Sequence, residues 1–176
     1  MRIISGSHKG RKIKPPRNLD VRPTTDRSKE GLFNILQNRY DLFGTRVLDL
    51  YAGTGSISYE FASRGSTLVT AVDKNQKCTS FIQETADKLT LKISVIPKES
   101  LKFLEKSCNT YHFIFADPPY DFELEIYKRI VNFSKSNIKK NGLLIIEHSN
   151  NIDLIHLDRF LFKRVYGKCA FSFFSH

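Results

Sequence analysis

Residues 113–120 read Phe-Ile-Phe-Ala-Asp-Pro-Pro-Tyr, an apolar run that stops at an acid, two prolines and an aromatic ring. Such a run predicts a buried strand that delivers a rigid polar tip into a cleft. Pro118 and Pro119 fix φ and carry no N–H, so the tip offers mostly acceptors: the Asp117 carboxylate and backbone carbonyls, with the flat ring of Tyr120 beside them. This set suits a planar group that bears an NH2. A strand that merely ends in Pro-Pro is the plainer alternative.

Two further clusters could hold a ligand near that tip. The first is Val47-Leu48-Asp49-Leu50-Tyr51-Ala52-Gly53-Thr54-Gly55, where the two glycines allow a tight turn and close approach of backbone to a ligand. Ser58 stands where the dinucleotide fingerprint would place a third glycine. The second is Val72-Asp73-Lys74, with Asp73 placed 20 residues beyond Gly53, as an acid that accepts from a ribose diol would be. Together they indicate an adenosine-containing ligand. Glu99-Ser100 could reach an adenine edge, or Glu99 is simply a first-turn helix acid.

These residues need elements to position them. Short apolar runs predict strands at Arg46–Leu50, Leu68–Val72, Lys92–Ile96, Tyr111–Ala116 and Gly142–Glu147, with helices at about 56–64, 75–89, 99–106 and 122–136 between them. Strands alternating with helices imply a mostly parallel sheet covered on both faces, an α/β fold. Each polar cluster then falls at the carboxyl end of a strand, where open α/β sheets bind ligands. Arg159–Val165 and Lys168–Phe174 predict an antiparallel hairpin that closes one sheet edge. Ahead of all this, Arg2–Ser5 and Arg11–Ile13 read as two short strands around Gly6–Gly10. A proline-rich connector follows, then a helix over about 26–38 with Thr24, Thr25 or Asp26 as N-cap.

Composition narrows the class of function. The chain has 176 residues, enough for one domain with a core that needs no staples. Its 3 cysteines are scattered, and no pair of its 5 histidines stands at ligand spacing, so neither disulfide nor metal site is expected. Nothing resembles a signal peptide or the roughly 20 apolar residues of a membrane span, so a soluble protein of the cytoplasm is expected. The net charge is +10, and residues 1–30 hold nine Lys/Arg against three acids. That concentration suggests a polyanion partner, most simply nucleic acid.

Asp49-x-x-x-Gly53-x-Gly55, Asp73 and Asp117-Pro118-Pro119-Tyr120, in that order, resemble the class I S-adenosylmethionine-dependent methyltransferases that modify exocyclic amines. Arg2-Ile3-Ile4-x-Gly6-x-x-x-Gly10-Arg11-Lys12-Ile13, followed by Arg22-Pro23-Thr24-x-Asp26-Arg27-x-x-Glu30-x-Leu32-Phe33-Asn34-x-Leu36, resembles the RsmD family of small-subunit ribosomal RNA guanine-N2 methyltransferases. The likeness runs from Arg2 to about Glu147. It departs at Glu99 and Ser100, where Asp and often Ala are expected, and at Tyr51 and Tyr120, where Phe is common.

The resemblance implies a three-layer αβα Rossmann-like fold with a seven-stranded, mostly parallel sheet and an antiparallel C-terminal hairpin. Residues 1–40 would form a basic hairpin-and-helix extension that binds RNA, and residues 41–176 the methyltransferase domain. S-adenosylmethionine, leaving as S-adenosylhomocysteine, would be held by Asp49, Tyr51, Ala52, Gly53, Thr54 and Gly55, with Asp73, Lys74, Glu99 and Ser100. In this reading the glycine turn faces the methionine tail, Asp49 its ammonium, and Asp73 the ribose hydroxyls. Asp117, Pro118, Pro119 and Tyr120 would hold the acceptor base. His8, Lys9, Arg11, Lys12, Arg22, Thr24 and Arg27 would contact RNA. The partner would be small-subunit rRNA or the small subunit, met by a monomer.

Three rivals share parts of this pattern. An Asn/Asp-Pro-Pro-Tyr/Phe tip also serves methyltransferases of DNA adenine or of a protein glutamine amide, though Asp at 117 and the N-terminal signature oppose that. A nicotinamide-dependent oxidoreductase is disfavoured by the missing third glycine and by the lack of a Tyr-x-x-x-Lys pair. A non-catalytic RNA-binding assembly factor would have no use for an intact Asp117–Tyr120 tip.

Overall fold

The structure, a computed structural model, describes residues 1–16, 19, 25–120 and 122–176. The chain runs α1 (Asp26–Gln37), β1 (Arg46–Leu50), α2 (Ser56–Ser63), β2 (Leu68–Asp73), α3 (Gln76–Lys88) and β3 (Ile93–Pro97). It continues through α4 (Ser100–Lys106), β4 (Tyr111–Ala116), α5 (Leu124–Ser134), β5 (Ile138–Ser149), β6 (Phe160–Tyr166) and β7 (Cys169–Phe174). The strands form one sheet in the order β3-β2-β1-β4-β5-β7-β6. The first five strands are mutually parallel, and β7 runs antiparallel to both β5 and β6.

The side-chain period of two in each strand divides the core between the two faces of the sheet. Val47, Val69, Phe113 and Ile145 point to one face, where they meet Leu32, Phe33 and Leu36 of α1, Ile57 and Phe61 of α2 and Ile82 of α3. Leu48, Leu50, Ile114 and Ile146 point to the other, against Leu101 and Leu104 of α4 and Tyr127 and Ile130 of α5. The result is the three-layer α/β arrangement expected from the sequence. Because successive strands are added on opposite sides of β1 and β4, a crevice opens between the carboxyl ends of these two strands.

Local signals account for most element ends. Thr25 caps α1, its hydroxyl accepting from Ser28 N–H at 3.2 Å. Asn75 caps α3 in the same way through Lys77 N–H at 3.0 Å. After α2, Gly65 takes φ +94°, the left-handed conformation that ends a helix. β5 begins at Ile138, earlier than the expected Gly142, and its first residues carry a register irregularity between the pairs Tyr111–Ile138 and Phe113–Leu143.

The N-terminal hairpin differs from expectation. In place of two paired strands there is one isolated bridge, Arg2 to Lys12, flanked by backbone bonds from Ile3 N–H to Arg11 O and from Ile13 N–H to Met1 O, each 3.0 Å. The donors that would extend a ladder are used elsewhere: Ile4 and Ser5 N–H donate to the two oxygens of Glu60 at 2.8 and 3.0 Å. Glu60, on α2, is fully buried and also receives Arg64 at 2.7 Å and Lys29 at 3.8 Å. Lys29 Nζ further donates to Arg2 O at 2.7 Å and Ser56 Oγ at 3.2 Å. Burial holds the Lys29 ammonium below its ordinary pKa, against the attraction of Glu60 and Asp26. This buried ionic cluster ties the hairpin and α1 to α2. Among the described residues no helix is long and apolar enough to cross a membrane.

Candidate active site

The β1–α2 turn is shaped by backbone more than by side chains. Tyr51 has φ +60°, rare for a residue with a side chain, and its N–H donates to Ser100 Oγ at 3.0 Å. Gly55 has φ +81°, and a Cβ there would lie 2.8 Å from the Tyr59 ring, so only glycine fits. Gly53 has φ +54°, and a Cβ there would meet only Tyr51 O at 3.9 Å, which leaves open space on the side a ligand would occupy. Its N–H donates to Asp73 Oδ2 at 2.8 Å, while Asn75 N–H donates to Oδ1 at 2.8 Å. Each Asp73 oxygen keeps a lone pair, so a diol can still bond to a carboxylate already held in place by two N–H groups.

Asp49 sits beneath this turn, 2 % exposed. Ser58 donates to its Oδ2 at 2.5 Å, so the residue that occupies the missing glycine position has a use of its own. Burial pushes the Asp49 carboxyl up to about 7, and the negative fields of Asp73 and Glu147 add to the shift. The two acids at the turn, Asp49 and Asp73, favour a ligand that carries positive charge. A diol-bearing, cationic ligand therefore fits the residues present.

The remaining predicted cofactor residues lie in or beside this crevice. Ala52 and Thr54 are buried in the turn, and Lys74 is exposed after β2. Glu99 is the N-cap of α4, its carboxylate accepting from Leu101 N–H at 3.0 Å and Lys102 N–H at 2.9 Å. Its sequence reading as a helix acid thus has a direct counterpart.

The Asp117–Tyr120 tip stands across the crevice. β4 is buried to Ala116, and Asp117 N–H reaches back to Leu50 O at 3.3 Å, tying the tip to the end of β1. Asp117 and Tyr120 are half-buried, Pro118 is buried and Pro119 exposed. Tyr51 and Phe122 meet edge to face at 6.2 Å, so the turn and the segment after the tip touch. The Tyr120 hydroxyl donates to Glu147 Oε1 at 3.3 Å, and the Cys169 thiol donates to the same oxygen at 3.2 Å. Sequence reasoning missed both of these partners. Glu147 carries a usable signal, being the first polar residue after the apolar run 143–146, whereas Cys169 carries none.

The basic residues divide between two ends of the molecule. Thr54 Oγ1 donates to Met1 Sδ at 3.7 Å, which puts the open end of the N-terminal hairpin, with Arg2 and Lys12, beside the crevice. Arg27 lies in the first turn of α1. The loop end of the hairpin lies by the last residue of α2, where Ser7 N–H donates to Ser63 O at 2.8 Å and His8 N–H to Ser63 Oγ at 3.0 Å. There Lys9, Arg11 and Lys88 line an open groove of about 580 Å³. Arg22 and Thr24 lie outside the described residues. Among the described residues no group of three His, Cys, Asp or Glu could hold a metal ion.

Comparison with known proteins agrees with this arrangement. The profile of a family described as Conserved hypothetical protein 95 matches residues 1–175. The chain is 33 % identical over 162 residues to ribosomal RNA small subunit methyltransferase D of Haemophilus influenzae, covering 88 % of this chain and 82 % of that one. Against the protein of the same name from Buchnera aphidicola (subsp. Acyrthosiphon pisum), identity is 34 % over 157 residues, covering 87 % and 80 %. A hypothetical protein of Thermus thermophilus superposes over 100 % of this chain and 99 % of its own with TM-score 0.87 and 24 % identity. The 16S rRNA N2 G1207 methyltransferase of T. thermophilus, solved with AdoMet and guanosine, shares the fold at TM-score 0.70 and 19 % identity, over 86 % of this chain and 43 % of that one.

Proposed function

The chain belongs to the Conserved hypothetical protein 95 family, that of the ribosomal RNA small subunit methyltransferase D proteins, and from that premise we propose that it methylates the exocyclic N2 amine of a guanine in small-subunit rRNA. The observation that carries this reading is the Asp117–Tyr120 tip facing a crevice whose acids suit a cationic nucleoside. S-adenosylmethionine, when bound, supplies a methyl group on a sulfonium, a donor that needs no metal. Asp73 receives its ribose hydroxyls, Asp49 faces its ammonium, and the open side of Gly53 accommodates its tail.

The acceptor is a poor nucleophile, because the lone pair of a guanine amine is delocalised into the ring. Asp117 and the carbonyl of Pro118 accept the two N–H bonds, which orients the nitrogen lone pair toward the methyl and stabilises the positive charge that develops there. Orientation and electrostatic stabilisation of this kind are worth several kcal/mol in general. The proton is lost to solvent after transfer, so Asp117 need not take it. A guanine inside a helix cannot reach the tip; it must be single-stranded or flipped out, stacked on Tyr120. Residues 1–40 act as the RNA-binding extension, with Arg11, Lys12 and Arg27 on phosphates. The setting is the cytoplasm, where a monomer meets rRNA or the small subunit.

Incubation with labelled methyl donor and separate RNA, DNA and protein acceptors tests the reading. Label is expected in small-subunit rRNA from cells lacking this protein, at guanine N2; label confined to DNA or protein overturns it.

A further inference from the structure

The acid at the end of β5 has no part in the mechanism above, yet its surroundings are specific. Ile146 is in register with Ala116, so Glu147 stands level with Asp117 on the neighbouring strand. Glu147 is 4 % exposed, and its Oε1 receives both the Tyr120 hydroxyl and the Cys169 thiol. Three segments distant in sequence, the tip, β5 and the C-terminal hairpin, thus converge on one carboxylate oxygen. Resting on the function proposed above, we propose that Glu147 is a positioning residue for the acceptor base. Braced by Cys169, it tethers the far end of the Tyr120 ring, so that the ring presents a fixed stacking face.

The chemistry supports a tether over a mere packing contact. Stacking needs only the ring, which Phe supplies equally well; the hydroxyl adds a directional bond at the ring's outer end. The near end is already held by the Pro118-Pro119 backbone, in which φ is fixed. Fixing both ends removes ring motion before the base arrives, so less conformational freedom is lost when it stacks. A buried carboxylate is itself costly unless donors reach it, and Tyr120 and Cys169 are such donors. Burial, reinforced by the negative field of Glu147, pushes both the Tyr120 hydroxyl and the Cys169 thiol well above their ordinary pKa values, so both remain protonated donors near neutrality.

Steady-state kinetics on small-subunit rRNA, with the methyl donor saturating, separate this role from a structural one. Tyr120→Phe and Glu147→Leu are each expected to raise KM for RNA by roughly three- to tenfold with kcat within about twofold, the range of one ordinary hydrogen bond lost. Glu147→Gln keeps an acceptor of the same length and is expected to stay within about twofold of wild type. The double variant Tyr120→Phe/Glu147→Leu is expected to be no worse than the weaker single, because both changes break one contact. S-adenosylhomocysteine affinity, measured by calorimetry, is expected to be unchanged throughout. A second readout needs no turnover: NMR relaxation of labelled tyrosine should show a lower order parameter for the Tyr120 ring axis in Glu147→Leu than in wild type. Additive effects in the double variant, a fall confined to kcat, or an unchanged order parameter of the ring axis overturns the tether. If the wild type methylates DNA instead, the functional reading fails, and the same comparison on that acceptor, with the order parameter of the ring axis, still decides the tether.

Discussion

Asp49 gives the crevice a pH dependence whose sign can be worked out. Its folded pKa, about 7, lies above its ordinary 3.8, so the native protein holds a proton there that the unfolded chain has already lost. The group therefore costs stability progressively as pH rises from about 4 to about 7 and adds nothing further above that. The ammonium of the ligand's amino-acid tail favours the carboxylate form, so S-adenosylhomocysteine affinity should rise as pH approaches 7 and level off beyond it. Asp49→Asn should flatten that profile and weaken binding by about tenfold, the effect of one lost charged contact; calorimetry at several pH values would show either outcome. Asp117→Ala should lower kcat by at least about 10²-fold while S-adenosylhomocysteine affinity stays within about threefold; full activity would remove the tip from the chemistry. The place of Asp117 just beyond the carboxyl end of β4 could be read from sequence because the apolar run stops there at an acid and two prolines. Cys169 could not, since nothing local distinguishes it and its partner lies 22 residues away.

Among elements, the strands and helices of the sheet were legible to within one or two residues for most ends, because each apolar run has a clear period and a cap or glycine at its boundary. The N-terminal hairpin departs from expectation for a physical reason: nothing local signals that the N–H groups of Ile4 and Ser5 turn to a glutamate 55 or more residues away. That anchor makes a strong prediction. Glu60→Ala leaves Lys29 and Arg64 buried without their common acid and should cost about 3–5 kcal/mol in urea unfolding. A loss below about 1 kcal/mol would mean that water replaces the carboxylate there. The β1–α2 turn is equally intolerant. Gly55→Ala forces a side chain into the left-handed region and against Tyr59, and should lower both Tm and S-adenosylhomocysteine affinity, by about 1–3 kcal/mol in stability.

At the scale of the whole molecule, α1 packs in the same core as α2 and α3, so the RNA-binding role proposed for residues 1–40 falls on a segment that also completes the fold. Testing that role needs surface changes. Arg11→Glu with Lys12→Glu should weaken small-subunit rRNA binding and reduce the slope of log affinity against log salt by about 1–2, leaving S-adenosylhomocysteine affinity unchanged. An unchanged slope would remove the hairpin from the RNA surface. The place of β7 has a consequence in time. It is the last strand in chain order, yet it lies inside β6 and supplies Cys169 to Glu147. On the ribosome, every residue that lines the crevice through Tyr120 is synthesised before the strand that braces the acceptor platform. A newly made chain therefore holds the carboxyl ends of β1, β2 and β4 before it holds Cys169, and the brace on Glu147 is completed only once β7 has paired between β5 and β6.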